Sequence, residues 1–173
     1  STVVQKYNSL TNVDIKFGVA SDENGQTFPI EQGNYGALFS HENRSIRRSA
    51  FENYSDGFLK LKNTLAGLQI AGLQKDIFNA NVRGFKNSLE ASLFPNNIPQ
   101  EVFYNLISVF QKHLPTWHKY WRIRKHWLKL DDFQVYDIKA PLTNQKPEIS
   151  FTQAVEWIAE GMKPLGLEYV DIL

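Results

Sequence analysis

The stretch Ile98–Leu142 restricts the fold of this chain more than any other. Phe103, Leu106, Ile107, Phe110, Leu114, Trp117, Trp121 and Leu128 recur in it at mostly three- and four-residue spacings, the period of one helix face. Asn96-Asn97-Ile98-Pro99 is a turn followed by a helix-starting proline. Pro115 removes one backbone donor and bends the helix. Asp131-Asp132 ends the pattern, and Ala140 before Pro141 lies outside any helix. Interleaved with the stripe are Lys112, His113, His118, Lys119, Arg122, Arg124, Lys125, His126 and Lys129. Tryptophan among cations fits a nucleic-acid reader that stacks bases and neutralises phosphates. Phasing favours another reading. Trp117 and Trp121 fall on the apolar stripe, where large aromatics fill a core, and the cations make a solvated outer face. Contact with a peptide or protein is the remaining reading.

A chain of 173 residues predicts one domain over 1–173. With 42% hydrophobic residues it can build a core. A net charge of +1 argues against a dedicated binder of nucleic acid or of a membrane surface. The absence of cysteine excludes thiol catalysis and disulfides, and weakly favours the cytoplasm. No apolar run reaches the roughly 20 residues of a membrane span. The chain starts at Ser1 and stops at Asp-Ile-Leu within a helical pattern, so both ends read as cuts.

The fold class that follows is mainly α, a multi-helix domain with one small β-hairpin. Residues 1–12 read as the tail of a helix. Period-2 alternation from Asp14 to Ala20, the turn Asp22-Glu-Asn-Gly25 and Gln26–Ile30 predict the hairpin over 14–30. A short helix follows over 34–40. Ile46, Ala50, Phe51, Tyr54, Phe58, Leu61, Leu65 and Leu68 mark a long one, capped by Ser40 or Asn43. Gly67 and Gly72 predict a break near 67–73, with helix resuming over 76–82. Another short helix spans 87–94. After a polar loop over 143–148, Ser150 caps a helix over 151–163 that turns Val155, Ile158, Ala159 and Met162 inward. A further helical turn begins at Leu167.

Chemistry confined to this chain finds little support. A zinc helix needs two imidazoles one turn apart and a glutamate to activate water. His113 and His118 are five apart across Pro115, His118 and His126 are eight apart, and no third ligand accompanies them; His41 lies far away. No serine sits in a nucleophile elbow and no glycine loop fits a phosphate. Arg44-Ser-Ile-Arg47-Arg48 reads as a solvated first helical turn. The most site-like pair is Tyr136-Asp137, either hydrogen-bonding groups for a substrate or a buried tyrosine beside a turn-fixing aspartate.

Taken in order, the motifs resemble one family. They are Asn12-Val-Asp-Ile-Lys-Phe17, Gly33-Asn-Tyr35, Arg47-Arg48-x-Ala50-Phe51-x-x-Tyr54, Phe58-x-x-x-Lys62-Asn63-Thr64, Arg83 and Ser88-Leu-Glu-Ala-Ser-Leu93. Asn97-Ile-Pro99-x-x-Val102, Leu114, His118-Lys-Tyr120, Arg124-Lys125, Leu128, Tyr136-Asp137 and Pro141-Leu142 continue the series. Phe151-x-x-Ala154, Lys163-Pro-Leu-Gly166 and Glu168-Tyr169 close it. The whole resembles the oligoendopeptidase F group of zinc oligopeptidases, relatives of thimet oligopeptidase and neurolysin. The resemblance implies a segment of a larger zincin-type enzyme that hydrolyses short peptides, its helices walling the substrate channel. The family's His-Glu-x-x-His motif has no counterpart here. Zinc is thus expected in the parent enzyme and not in this segment, which is expected to be inactive. Tyr136 and Asp137 are the candidate groove residues, and no catalytic or metal residue is assigned. The expected partners are peptide substrates of the parent, the remainder of the same chain and, through exposed apolar surface, a second copy. Nucleic acid and membrane are not expected. A non-catalytic helical peptide- or protein-binding module is the alternative.

Overall fold

The computed structural model describes residues 2–143 and 149–170, and the chain divides into two compact units, Ser1–Leu142 and Thr143–Leu173. Each is described by itself.

The first unit opens with helix α1 (Thr2–Ser9), which widens into a π-turn over Leu10–Asp14. The Ile15 N–H donates to Leu10 O at 3.0 Å, and the chain then becomes extended. The hairpin lies inside the expected 14–30 interval but is shorter, because Asp14 ends the π-turn. Among the described residues only β1 (Val19–Ser21) and β2 (Thr27–Pro29) pair, antiparallel, with Ala20 opposite Phe28. Asp22 Oδ1 accepts from the N–H groups of Asn24 and Gln26, and Gly25 takes φ +83° to close the turn.

Helix α2 (Tyr35–Phe39) leads into α3 (Arg44–Lys60). Of the two candidate caps it is Asn43 that accepts from the Ser45 and Ile46 N–H groups. The free edge of β1 is sealed by α3. Ser49 Oγ accepts from Ser21 N–H at 2.8 Å and donates to Ser21 O, and Asn53 donates to Val19 O. The core sits beneath this junction, built from Ile15, Phe17, Ala20, Ile30, Leu38, Ile46 and Ala50, with Tyr35, Tyr54 and Phe58 packed against it. Phe17 stacks on Tyr54 at 4.4 Å and meets Phe58 at 5.5 Å.

That ring leaves no room on α3 at position 57. A Cβ built on Gly57 would lie 2.6 Å from Phe17 Cδ1 and 3.1 Å from Cε1. Gly57→Val is therefore expected to destabilise the unit by about 1–3 kcal/mol through overpacking, measured by urea unfolding. An unchanged midpoint would refute the close packing.

The expected break near 67–73 is absent. The helix breaks at Leu61 (φ −103°, ψ 9°), and α4 (Lys62–Val82) runs through Gly67 and Gly72. Two glycines cost about 1 kcal/mol each in propensity, and packing against α1 overrides that in a helix of 21 residues. After α5 (Ser88–Leu93), a 3-10 turn over Phe94–Asn96 and left-handed Asn97 turn the chain. Then α6 (Gln100–Trp127) begins one residue beyond Pro99 and contains Pro115.

The apolar stripe of α6 is the largest departure from expectation. Trp121 and Leu114 are half-buried, but Trp117, Phe103, Leu106, Ile107 and Phe110 are exposed. Periodicity reports that a face is made for burial; it does not say that the covering surface lies in the same 173 residues. The second unit repeats this. Helix α7 (Phe151–Met162) is capped by Ser150 as expected, and α8 (Leu167–Val170) follows a 3-10 turn. Ala159 and Met162 are half-buried, whereas Val155 and Ile158, expected inward, are exposed. The polar loop beyond Thr143 and the last three residues lie outside the described residues.

Candidate functional site

Residues 132–142 form an irregular turn held on both sides by helices. Its centre is a 3-10 turn over Val135–Asp137, started by Gln134, whose N–H donates to Asp137 Oδ2 at 3.0 Å. Asp137 is 0% exposed. A buried carboxylate persists only with partners, and α3 supplies them. Arg44 Nε donates to Oδ1 at 3.0 Å and its Nη2 to Oδ2 at 2.8 Å, a bidentate pair. Arg47 Nη2 reaches Oδ1 at 2.9 Å. Burial alone would raise the Asp137 carboxyl. Hydrogen bonds from Arg44, Gln134 and Arg47 outweigh it and hold the group below its ordinary range. The same contact raises Arg44.

Arg47 does more than balance charge. At 3% exposure it also donates from Nε to Tyr136 O and from Nη1 to His41 O and Glu42 O. One side chain thus ties the loop before α3 to the turn after α6. Arg44 also donates to Asp132 O, and its guanidinium lies 5.2 Å from the Tyr136 ring centroid. Tyr136, half-buried, also meets Phe51 at 6.3 Å. From the other side Arg124 of α6 donates to Ala140 O and to the Tyr120 hydroxyl, and Trp127 Nε1 donates to Leu142 O.

The two expected site residues are neighbours with different surroundings. The acceptor positions of Asp137 are filled by donors of this chain, so it fixes the turn. Tyr136 is the member of the pair left at the surface of that turn. Sequence reasoning missed the arginines. Arg44 and Arg47 read as a solvated first turn, yet they clasp Asp137. Arg124 read as an outer cation, yet it is buried. Its position was legible: three residues after Trp121 and four before Leu128 puts it on the apolar stripe. Arg48, by contrast, is exposed and pairs with Glu52.

A second tie joins the hairpin tip to α3. Glu23 accepts from Ser45 Oγ at 2.6 Å and Asn43 Nδ2 at 2.8 Å, contacts that pull its pKa from the ordinary 4.5 to about 2. A depressed carboxyl contributes stability that is complete above the unfolded value and lost as pH falls through the folded one. The stability difference between the native chain and Glu23→Gln is therefore expected to hold above pH 4.5 and to vanish towards pH 2. Thermal melts across that window check it, and a difference that does not change with pH would contradict the tie.

Among the described residues no three His, Asp or Glu side chains gather to hold a metal. His113, His118 and His126 lie exposed along α6, and His41 Nδ1 accepts from Asn43 N–H. Among the same residues no helix is long and apolar enough to cross a membrane.

The profile of Peptidase family M3 matches residues 37–168, from α2 through the clasped turn to α8. The chain belongs to peptidase family M3. Oligopeptidase PepF of Bacillus subtilis is 36% identical over 168 residues, covering 96% of this chain and 25% of PepF. The chromosomal oligoendopeptidase F of Lactococcus lactis subsp. cremoris is 33% identical, over 91% of this chain and 26% of its own. The crystal structure of oligoendopeptidase-F from Enterococcus faecium superposes with a TM-score of 0.79 at 32% identity, over 99% of this chain and 32% of that one. This M3 chain therefore spans about a quarter of the length of the curated relatives it matches. The helical fold and the oligoendopeptidase F resemblance read from the sequence both hold.

Proposed function

We propose that the chain is a segment of a zinc metalloendopeptidase that cleaves short peptides in the cytoplasm, forming part of the helical wall of the substrate channel without the catalytic motif. One observation carries the reading: nearly the whole chain overlies oligoendopeptidase-F of Enterococcus faecium, yet accounts for 32% of it. Zinc, with the Lewis-acid activation of water that it supplies when bound, belongs to the remainder of the full-length enzyme in this reading. The part played by these residues is positional. The arginine clasp on Asp137 holds the 132–142 turn, and Tyr136 contacts the peptide at the channel surface.

The test uses the full-length enzyme and the 173-residue chain side by side. The enzyme is expected to hydrolyse a quenched oligopeptide with one zinc bound, and the chain alone to do neither. Hydrolysis by the chain, with stoichiometric zinc, would overturn the reading. In the full-length enzyme Tyr136→Phe is expected to raise KM about 3–10-fold with kcat little changed, the worth of one hydrogen bond of about 0.5–1.5 kcal/mol. The exposed apolar residues of α6 also favour self-association of the isolated chain, which sizing runs over a concentration series would reveal.

A further inference from the structure

Helix α6 carries a second apolar line besides the one that defines it in sequence. Val102, Val109 and Ile123 are separated by seven and fourteen residues, and Tyr120 and Trp127 by seven. At about 100° per residue these five fall within one narrow sector, displaced from the Trp117–Trp121 stripe. A heptad-spaced line is the surface on which one helix lies along another. All five are exposed, Ile123 at 54% and Trp127 at 63%. The N-terminal half of α6 thus presents large apolar residues over more than half of its circumference. Helices of that kind are interior elements of a larger body.

Charge states what the missing neighbour is like. From Val102 to Leu130 there are six lysines and arginines and no carboxylate, in a chain whose net charge is +1. Among the described residues none of these cations is ion-paired, although pairs occur on α3, α4 and the turn after α7. Lys112 and Lys119 flank the heptad line on one side by the same phasing. In a packed helix pair such flanking positions meet charges of the partner. Arg124 adds a buried guanidinium whose Nε has no hydrogen-bond partner among the described residues.

From the heptad line and this uncompensated charge we infer that α6 is the docking face for an acidic amphipathic helix of the same polypeptide, contributed by the part of the full-length enzyme outside residues 1–173. The inference rests on the proposed function for the existence of that remainder. The relatives supply the room for it, since three quarters of PepF lies beyond the matched region. The partner presents an apolar seam to Val102, Val109, Ile123 and Trp127, and aspartates or glutamates to Lys112 and Lys119. The covered face is an internal interface of the enzyme, not a nucleic-acid site.

The absence of cysteine in these residues allows a direct test. Val109→Cys is introduced into the 173-residue chain and into the full-length enzyme, with any cysteine of the remainder replaced by serine. Maleimide labelling is then timed in both. The expected result is labelling at least about tenfold slower in the full-length enzyme. Adding Lys112→Glu and Lys119→Glu to that enzyme is expected to restore the fast rate. Both positions are solvent-exposed, and the helical circular dichroism of the variant reports that it stays folded. Equal labelling rates in the two forms would overturn the inference. So would protection that survives the charge reversal and 1 M salt, because the cover would then be apolar without being acidic. Salt-sensitive retention of the full-length enzyme on single-stranded DNA, lost in the reversed variant, would instead assign the face to nucleic acid. Labelling is read without turnover, so an enzyme that protects the introduced thiol but cleaves no peptide would reject the proposed activity and leave the docking face standing.

Discussion

Asp137→Ala is expected to cost about 3–5 kcal/mol, because it strands a buried cation. With the carboxylate gone, the Arg47 side chain, 4% exposed, keeps its charge without a counterion. Arg44, at 39%, can turn to water. The magnitudes separate the two arginines. Arg47→Ala leaves Asp137 paired only with Arg44 and removes the bridges to Tyr136, His41 and Glu42. Arg44→Ala removes a half-exposed pair and is expected to cost much less, about 1 kcal/mol. For a unit of this size Asp137→Ala should lower the melting temperature by at least roughly 10 °C, read by circular dichroism. A shift of one or two degrees would show that the clasp contributes little. The pH sign agrees: the folded-state pKa of Asp137 is depressed, so its contribution is present at neutral pH and lost on acidification through that pKa.

Phe17→Ala is expected to cost about as much, about 3–5 kcal/mol, by a different route. The ring is 7% exposed and lies against Tyr54, Phe58 and the bare backbone of Gly57. Its removal forfeits apolar burial and two aromatic contacts and opens a cavity between the hairpin and α3. Because the ring is what denies Gly57 a side chain, the two sites are coupled. Gly57→Val, destabilising in the native chain, should become neutral or favourable in the Phe17→Ala background, where its methyls enter the vacated space. Additive losses in a double-mutant cycle from urea unfolding would refute the steric account.

Legibility differed between elements for physical reasons. Caps and turns are local, so Ser150 and Asp22-Glu-Asn-Gly25 were readable without a fold, and Asn43 was one of two candidate caps that the structure separated. The break in the long helix was not. Glycine propensity pointed to 67–73, whereas the chain turns at Leu61, where α3 leaves the hairpin and α4 begins to pack on α1. Asp137 could be singled out as an acidic group in a turn, but its role could not. Its two arginines lie about 90 residues earlier, and no short-range pattern links groups so far apart.

By itself the sequence determined the class of the protein: a mainly helical chain with one hairpin and an M3 peptidase pattern that lacks a metal motif. It also determined that the stretch Ile98–Leu142 opens with a long helix whose apolar face is made for burial. Hydrophobic period and turn chemistry act over a few residues, so they survive in the one-dimensional record. Tertiary structure alone decided where those faces go. It left the α6 stripe largely uncovered, buried Arg47 and Arg124 that had read as surface cations, and closed Asp137 inside a clasp. Burial and ion pairing are properties of whichever surfaces meet in space, and the clasp on Asp137 meets across about 90 residues, while the α6 stripe stays largely exposed among the described residues.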